Sequence, residues 1–187
     1  AVDLRYRKEV DEVFRQVRLL DKPVLWVPGN HDHPGLDLTG NVDHRVEEMA
    51  GLRVHGIGGA GPARFGFCYE WSDMDILRRA FPECDVLLCH APPAATPLSI
   101  TASGAHAGSG AIRARAETHR GVLVCGHIHE APSVTRVADC LCMNVGGLGQ
   151  PFGRAQVGFI EGLDRVIHKD IDSGRLTVLE REGVDQR

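Results

Sequence analysis

The chain has 187 residues, enough for one domain, and its 43% hydrophobic and 25% charged content excludes disordered, collagen-like and coiled-coil classes. A formal charge of −4 leaves no global basic field for a nucleic-acid backbone, so no nucleic-acid partner is expected. Ten histidines, as many as Phe, Tyr and Trp together, are the compositional oddity, because imidazole is both a common metal ligand and the usual acid–base group near neutrality.

Taken in chain order, Val10, Val13, Phe14, Val17 and Leu20 recur at helical spacing and predict an opening amphipathic helix, stopped by Lys22-Pro23. Val24–Val27 reads as a buried strand ended by Pro28-Gly29. A helix is expected over Ser72–Phe81 and a strand over Asp85–Cys89, then a helix capped by Ser109 and running toward His119, and a strand over Val122–Cys125. Cys140–Met143, Val157–Glu161, Val166–Lys169 and Leu176–Glu180 follow as short strands without helices between them, with a hairpin turn at Asp172-Ser173-Gly174. Helix–strand alternation followed by a meander predicts an α/β fold, a mixed sheet with an antiparallel end, and no repeat or linker divides residues 1–187 into more than a single domain. No apolar run approaches the ~20 residues of a membrane span, and no signal-peptide pattern opens the chain. A cytoplasmic location without a membrane partner is therefore the expectation. The six cysteines fit reduced thiols on apolar strands better than a disulfide framework.

Three of the expected strands end in histidine: Val24–Val27 leads to Gly29-Asn30-His31-Asp32, Val86–Cys89 to His90, and Val122–Cys125 to Gly126-His127-Ile128-His129. Ligands in open α/β sheets bind beyond the carboxyl ends of the strands, so parallel pairing would gather these side chains at one edge. Imidazoles and an amide oxygen suit Mn, Fe, Co or Zn better than Ca.

Those blocks, with Ala91-Pro92-Pro93 after His90, resemble the signature motifs of the calcineurin-like metallophosphoesterase superfamily. The Gly104–Ser109 and Ile128-His129-Glu130 segments are similar to the branch related to class III cyclic-nucleotide phosphodiesterases, and the likeness runs from about Val24 to Gly146. It implies a metallophosphoesterase-type α/β sandwich and hydrolysis of a phosphodiester or phosphomonoester by a hydroxide activated between two divalent ions. On these positions Asn30, His90 and His127 would bind one ion and His129 the other, Asn30 would also reach the substrate phosphate, His31 would assist the leaving oxygen, and Asp32 would orient His31. His106 is a candidate substrate contact. The family's earlier Asp-x-His and Gly-Asp blocks do not precede Asn30, which implies a sheet lacking its N-terminal strands, a full metal site needing residues upstream of Ala1, and weak binding of the metal pair by this chain alone.

Two other readings stay open: a binding or scaffold protein on the same fold, and a mononuclear zinc hydrolase using His90, His127 and His129. The phosphate-ester substrate would be the partner, and a homo-oligomer also stays open. Gly56–Gly61 satisfies a dinucleotide fingerprint literally but opens no helix, so it reads as a strand end. Arg113 and Arg115 read as a solvated helix face, and His44, His55, His119 and His168 as surface or strand-boundary residues.

Overall fold

The computed structural model describes residues 7–149 and 153–181. It opens with α1 (Arg7–Arg18), whose Phe14 ring meets Trp26 edge-on at 4.9 Å; the Val10 side chain lies outside the described residues. The strands are β1 (Val46–Met49), β2 (Leu52–Ile57), β3 (Val86–Cys89), β4 (Val122–Cys125), β5 (Ser133–Val137) and β6 (Cys140–Asn144), then β7 (Gln156–Glu161), β8 (Arg165–Asp170) and β9 (Leu176–Glu180). Two short helices, α2 (Asp73–Leu77) and α3 (Gly110–Thr118), flank β3 in sequence.

The first six strands form one mixed sheet in the order β1-β2-β3-β4-β6-β5, with β2, β3, β4 and β6 parallel and the edge strands β1 and β5 antiparallel. The last three form a separate antiparallel sheet. This is a mixed α/β architecture with an antiparallel C-terminal meander, as the pattern of elements implies. Cys140–Asn144 departs from the expectation: it lies inside the mixed sheet beside β4 instead of opening the meander.

Side-chain alternation explains the layering. On β4, Leu123 and Cys125 point into the core shared with α2 and α3, while Val122 and Val124 point into the core shared with the small sheet. On β6, Cys140 and Cys142 take the first face and Leu141 and Met143 the second. Central strands buried on both faces read as continuous apolar runs, which is why their sequences show no polar alternation. The two sheets approach closely at Gly158, where a Cβ would stand 2.4 Å from Met143 Cε.

Val24–Val27 is not a strand of either sheet. Trp26 forms one isolated parallel bridge, donating its N–H to no sheet strand but to Gly40 O at 2.9 Å, and accepting from Val42 N–H at 3.0 Å. Its apolar side chains reflect local packing, not membership of the ladder. The Ser72 helix is shorter than expected, ending at Leu77, but its start is set by a capping box between Ser72 and Asp75.

Three of the histidines read from sequence as surface or strand-boundary residues are buried. His55 (4% exposed) lies in β2 with Nδ1 3.0 Å from Arg45 O, His119 (6%) follows α3, and His168 (5%) lies in β8. Nor are Arg113 and Arg115 simply solvated. Arg115 Nη2 donates to the carbonyls of Ile76, Leu77 and Arg79 at the end of α2, and its guanidinium stacks 4.8 Å above Phe81. Arg113 Nη1 donates to Ala94 O and Ala95 O.

Candidate functional site

The parallel pairing of β3 with β4 brings two of the histidine blocks side by side. His90 continues the β3 edge, donating its N–H to Ile57 O at 3.0 Å and accepting from Gly126 N–H at 3.1 Å. Beyond β4 the chain reverses in a γ-turn: Ile128 N–H donates to Gly126 O at 2.7 Å, with His127 between them at φ +66°. Such a turn is rare and strained for a non-glycine residue, and strain of this kind collects at functional sites.

The third block arrives without a strand. Gly59 N–H donates to Pro28 O at 2.9 Å and Tyr69 N–H to Asn30 O at 3.0 Å, which seats the Asn30 loop beyond β2. Within the loop, Gly29 N–H donates to Asp32 Oδ2 at 2.7 Å and Asp32 N–H to Gly29 O at 3.1 Å. Gly29 is required for space, since a Cβ there would lie 2.9 Å from His90 Cε1.

These constraints converge on one point. His90 Nε2 lies 3.0 Å from Asn30 Oδ1 and 3.1 Å from His127 Nδ1. Burial, followed by the neighbouring His127, holds the His90 imidazole well below its ordinary pKa. Burial, followed by His129, pushes His127 down to about 4. Burial also lowers His129. Near neutrality His90 and His127 are uncharged, and a neutral imidazole carries one hydrogen on its two nitrogens. One N–H at most can serve each of the two contacts, so lone pairs are left facing a common centre. A borderline divalent cation suits three such neutral N and O donors. The set contains no carboxylate, and among the described residues no three His, Cys, Asp or Glu side chains form a metal-holding group. The donors present therefore fit one ion and do not by themselves supply the bridge of a pair.

A cavity of about 660 Å³ opens over this point. Its wall includes Asn30, His31, His90, His106, His127 and His129, six of the seven residues singled out from sequence. Asp32 stays behind the wall in the Gly29 turn. His31 is exposed, its ring centred 4.2 Å from that of Phe67. His106 faces the cavity from a loop, with Nδ1 3.1 Å from Ser99 Oγ. Glu130 accepts Ala102 N–H at 2.9 Å, and that bond lowers its carboxyl pKa while pinning the loop that carries His106.

Sequence reasoning missed Phe65, Phe67 and Glu70, which also line the cavity. Their signal was present in the Pro62–Glu70 stretch, where two aromatics separated by one glycine sit in a segment without helical or strand periodicity. At the start of α3, Ser109 Oγ donates to Asp73 Oδ1 at 2.6 Å and accepts from Ile112 N–H at 3.2 Å, so this helix end is occupied by ordinary capping.

Three comparisons bear on identity. Among curated proteins no sequence matches this chain. A solved crystal structure superposes with a TM-score of 0.60 over 92% of this chain and 71% of its own, at 15% sequence identity, a likeness of fold alone. The profile of the calcineurin-like phosphoesterase superfamily domain matches residues 3–161, extending on both sides of the stretch that carries the motifs. The chain belongs to the calcineurin-like phosphoesterase superfamily.

Proposed function

We propose that this chain hydrolyses a phosphoester in the cavity above Asn30, His90 and His127. The observation that carries the reading is the convergence of Asn30 Oδ1, His90 Nε2 and His127 Nδ1 within 3.0–3.1 Å contacts at the cavity floor. These three atoms would hold one divalent ion, with His129 assigned to a second. Bound there, such ions neutralise charge on the phosphoryl oxygens and acidify water.

The remaining steps belong to side chains. Asn30 positions the phosphate through its amide. His31 reaches the cavity from an exposed position and delivers a proton to the leaving oxygen, a common task of a positioned imidazole. Asp32, held by Gly29 N–H, orients the turn that carries His31. His106 meets the substrate from its own loop on the cavity wall. A non-hydrolytic binding protein on the same fold is the second reading, favoured by the lack of a carboxylate among the converging donors.

Hydrolysis of bis-p-nitrophenyl phosphate and of p-nitrophenyl phosphate, each with and without Mn²⁺, separates the two. Mn²⁺-dependent release of nitrophenol that disappears in His90→Ala supports the enzyme. Mn²⁺ binding by the full chain with no turnover of either ester overturns it in favour of the binding protein.

A further inference from the structure

The cavity has an aromatic wall that the hydrolytic residues do not explain. Residues 60–71 double back as a flap: Ala60 N–H donates to Tyr69 O at 3.1 Å, Trp71 N–H to Ala60 O at 3.1 Å, and Ala63 N–H to Trp71 O at 3.0 Å. Its base is anchored by the buried Trp71, whose Nε1–H donates to Gly58 O at 2.8 Å. Its tip is held by one carboxylate. Glu70 accepts the N–H groups of Arg64 at 3.2 Å, Phe65 at 3.1 Å and Gly66 at 2.8 Å.

This fixed tip leaves Phe65 77% exposed and Phe67 38% exposed, both facing the cavity. Presenting a phenyl ring to water forgoes its burial energy, so a rigid loop that does so twice calls for an occupant. The rings form a row: His31 to Phe67 is 4.2 Å between centroids, and Phe67 to Phe65 is 5.9 Å with a 42° tilt. The row starts at the residue assigned to the leaving oxygen and runs outward along the wall. Thr101, Ser103 and His106 add polar groups to the lining of the same cavity. The volume is in the range of small-molecule sites.

We infer that Phe65 and Phe67 select esters whose leaving alcohol is flat and apolar, an aryl or heteroaryl group stacked on the flap beside His31. The inference rests on the phosphoesterase reading above, since the phosphoryl group must sit at the Asn30–His90–His127 floor for the leaving group to reach the rings. Glu70 is a positioning residue that acts through the tip amides.

The test measures binding, not turnover, using the full chain with Mn²⁺ and two non-hydrolysable probes, phenylphosphonate and methylphosphonate, by calorimetry. The expected preference for the phenyl probe is about tenfold, the scale of one or two aromatic stacks. The Phe65→Ala, Phe67→Ala double variant should bring the affinity ratio close to one, Phe67→Ala alone should lose more of it than Phe65→Ala, and Phe67→Trp should retain it. Glu70→Gln, which keeps an acceptor oxygen, should preserve more of the ratio than Glu70→Ala. Equal affinities in the wild type, an unchanged ratio in the double variant, or a parallel loss of both probes in that variant overturns the inference while leaving the phosphate floor intact. Failure of the wild type to bind either probe removes the phosphate floor itself, and the inference with it.

Discussion

Asn30 Oδ1 and His90 Nε2 lie 3.0 Å apart, although 60 residues separate them in the chain. Their meeting depends on the Asn30 loop hanging from Gly59 and Tyr69, and on His90 being the first residue past β3. If the pair is a metal site, Mn²⁺ or Zn²⁺ affinity measured calorimetrically should fall in Asn30→Ala and His90→Ala by more than the roughly 10–100-fold that loss of an outer-shell partner costs. Circular dichroism should show the fold retained. An affinity unchanged in both variants would place the metal elsewhere.

His31 is predicted to behave differently. Its substitution by Ala should lower kcat by about 10²–10⁴-fold, the range of a lost general acid, with Mn²⁺ content close to wild type. Equal loss of metal and turnover would make His31 a ligand.

The link between α2 and α3 offers a stability test. Ser109 both caps α3 and donates to Asp73, so Ser109→Ala should cost about 1–2 kcal/mol in urea unfolding, the range of a lost N-cap. A change near zero would show that Asp73 alone satisfies the helix end.

Acid should destabilise the metal-free protein earlier than its carboxylates require. Burial lowers the folded pKa of His55 and His119 below the ordinary 6.5. Below that value the unfolded chain binds more protons than the folded one, so stability is fully present above pH 6.5 and falls as the pH drops through and beneath it. Urea midpoints followed from about pH 7.5 to about pH 5 should decline, and the decline should shrink in His119→Gln. A flat profile would mean that both imidazoles titrate normally.

Some of this was legible in the residues and some was not, for physical reasons. β4 spans the predicted residues because a fully apolar Val122–Cys125 run between a helix and a glycine has few other solutions. Val24–Val27 is equally apolar, but apolar character does not dictate pairing: the segment is only partly buried, and Trp26 finds its partner within its own loop. β1 and β5 escaped notice because edge strands tolerate charge: Glu47 and Glu48 are exposed on one, and Arg136 on the other. The histidine convergence was readable from strand ends, since β3 and β4 are parallel neighbours. The buried state of His55 was not, because its partner Arg45 O belongs to a different segment. Arg115 misled in the same way: the carbonyls it caps belong to α2, and only the packing of α2 on α3 brings them within reach.

The origin of the three floor donors also bears on how the molecule assembles. Each lies on a different loop, and β2, β3 and β4 pair only across long stretches of chain. Non-local pairing of this kind is slow because loop closure precedes any reward. The floor therefore cannot exist in a partly collapsed chain. Its donors meet only after β3 docks on β4 and the Asn30 loop hangs from β2, so acquisition of metal affinity during refolding would mark the last steps of closure rather than the first.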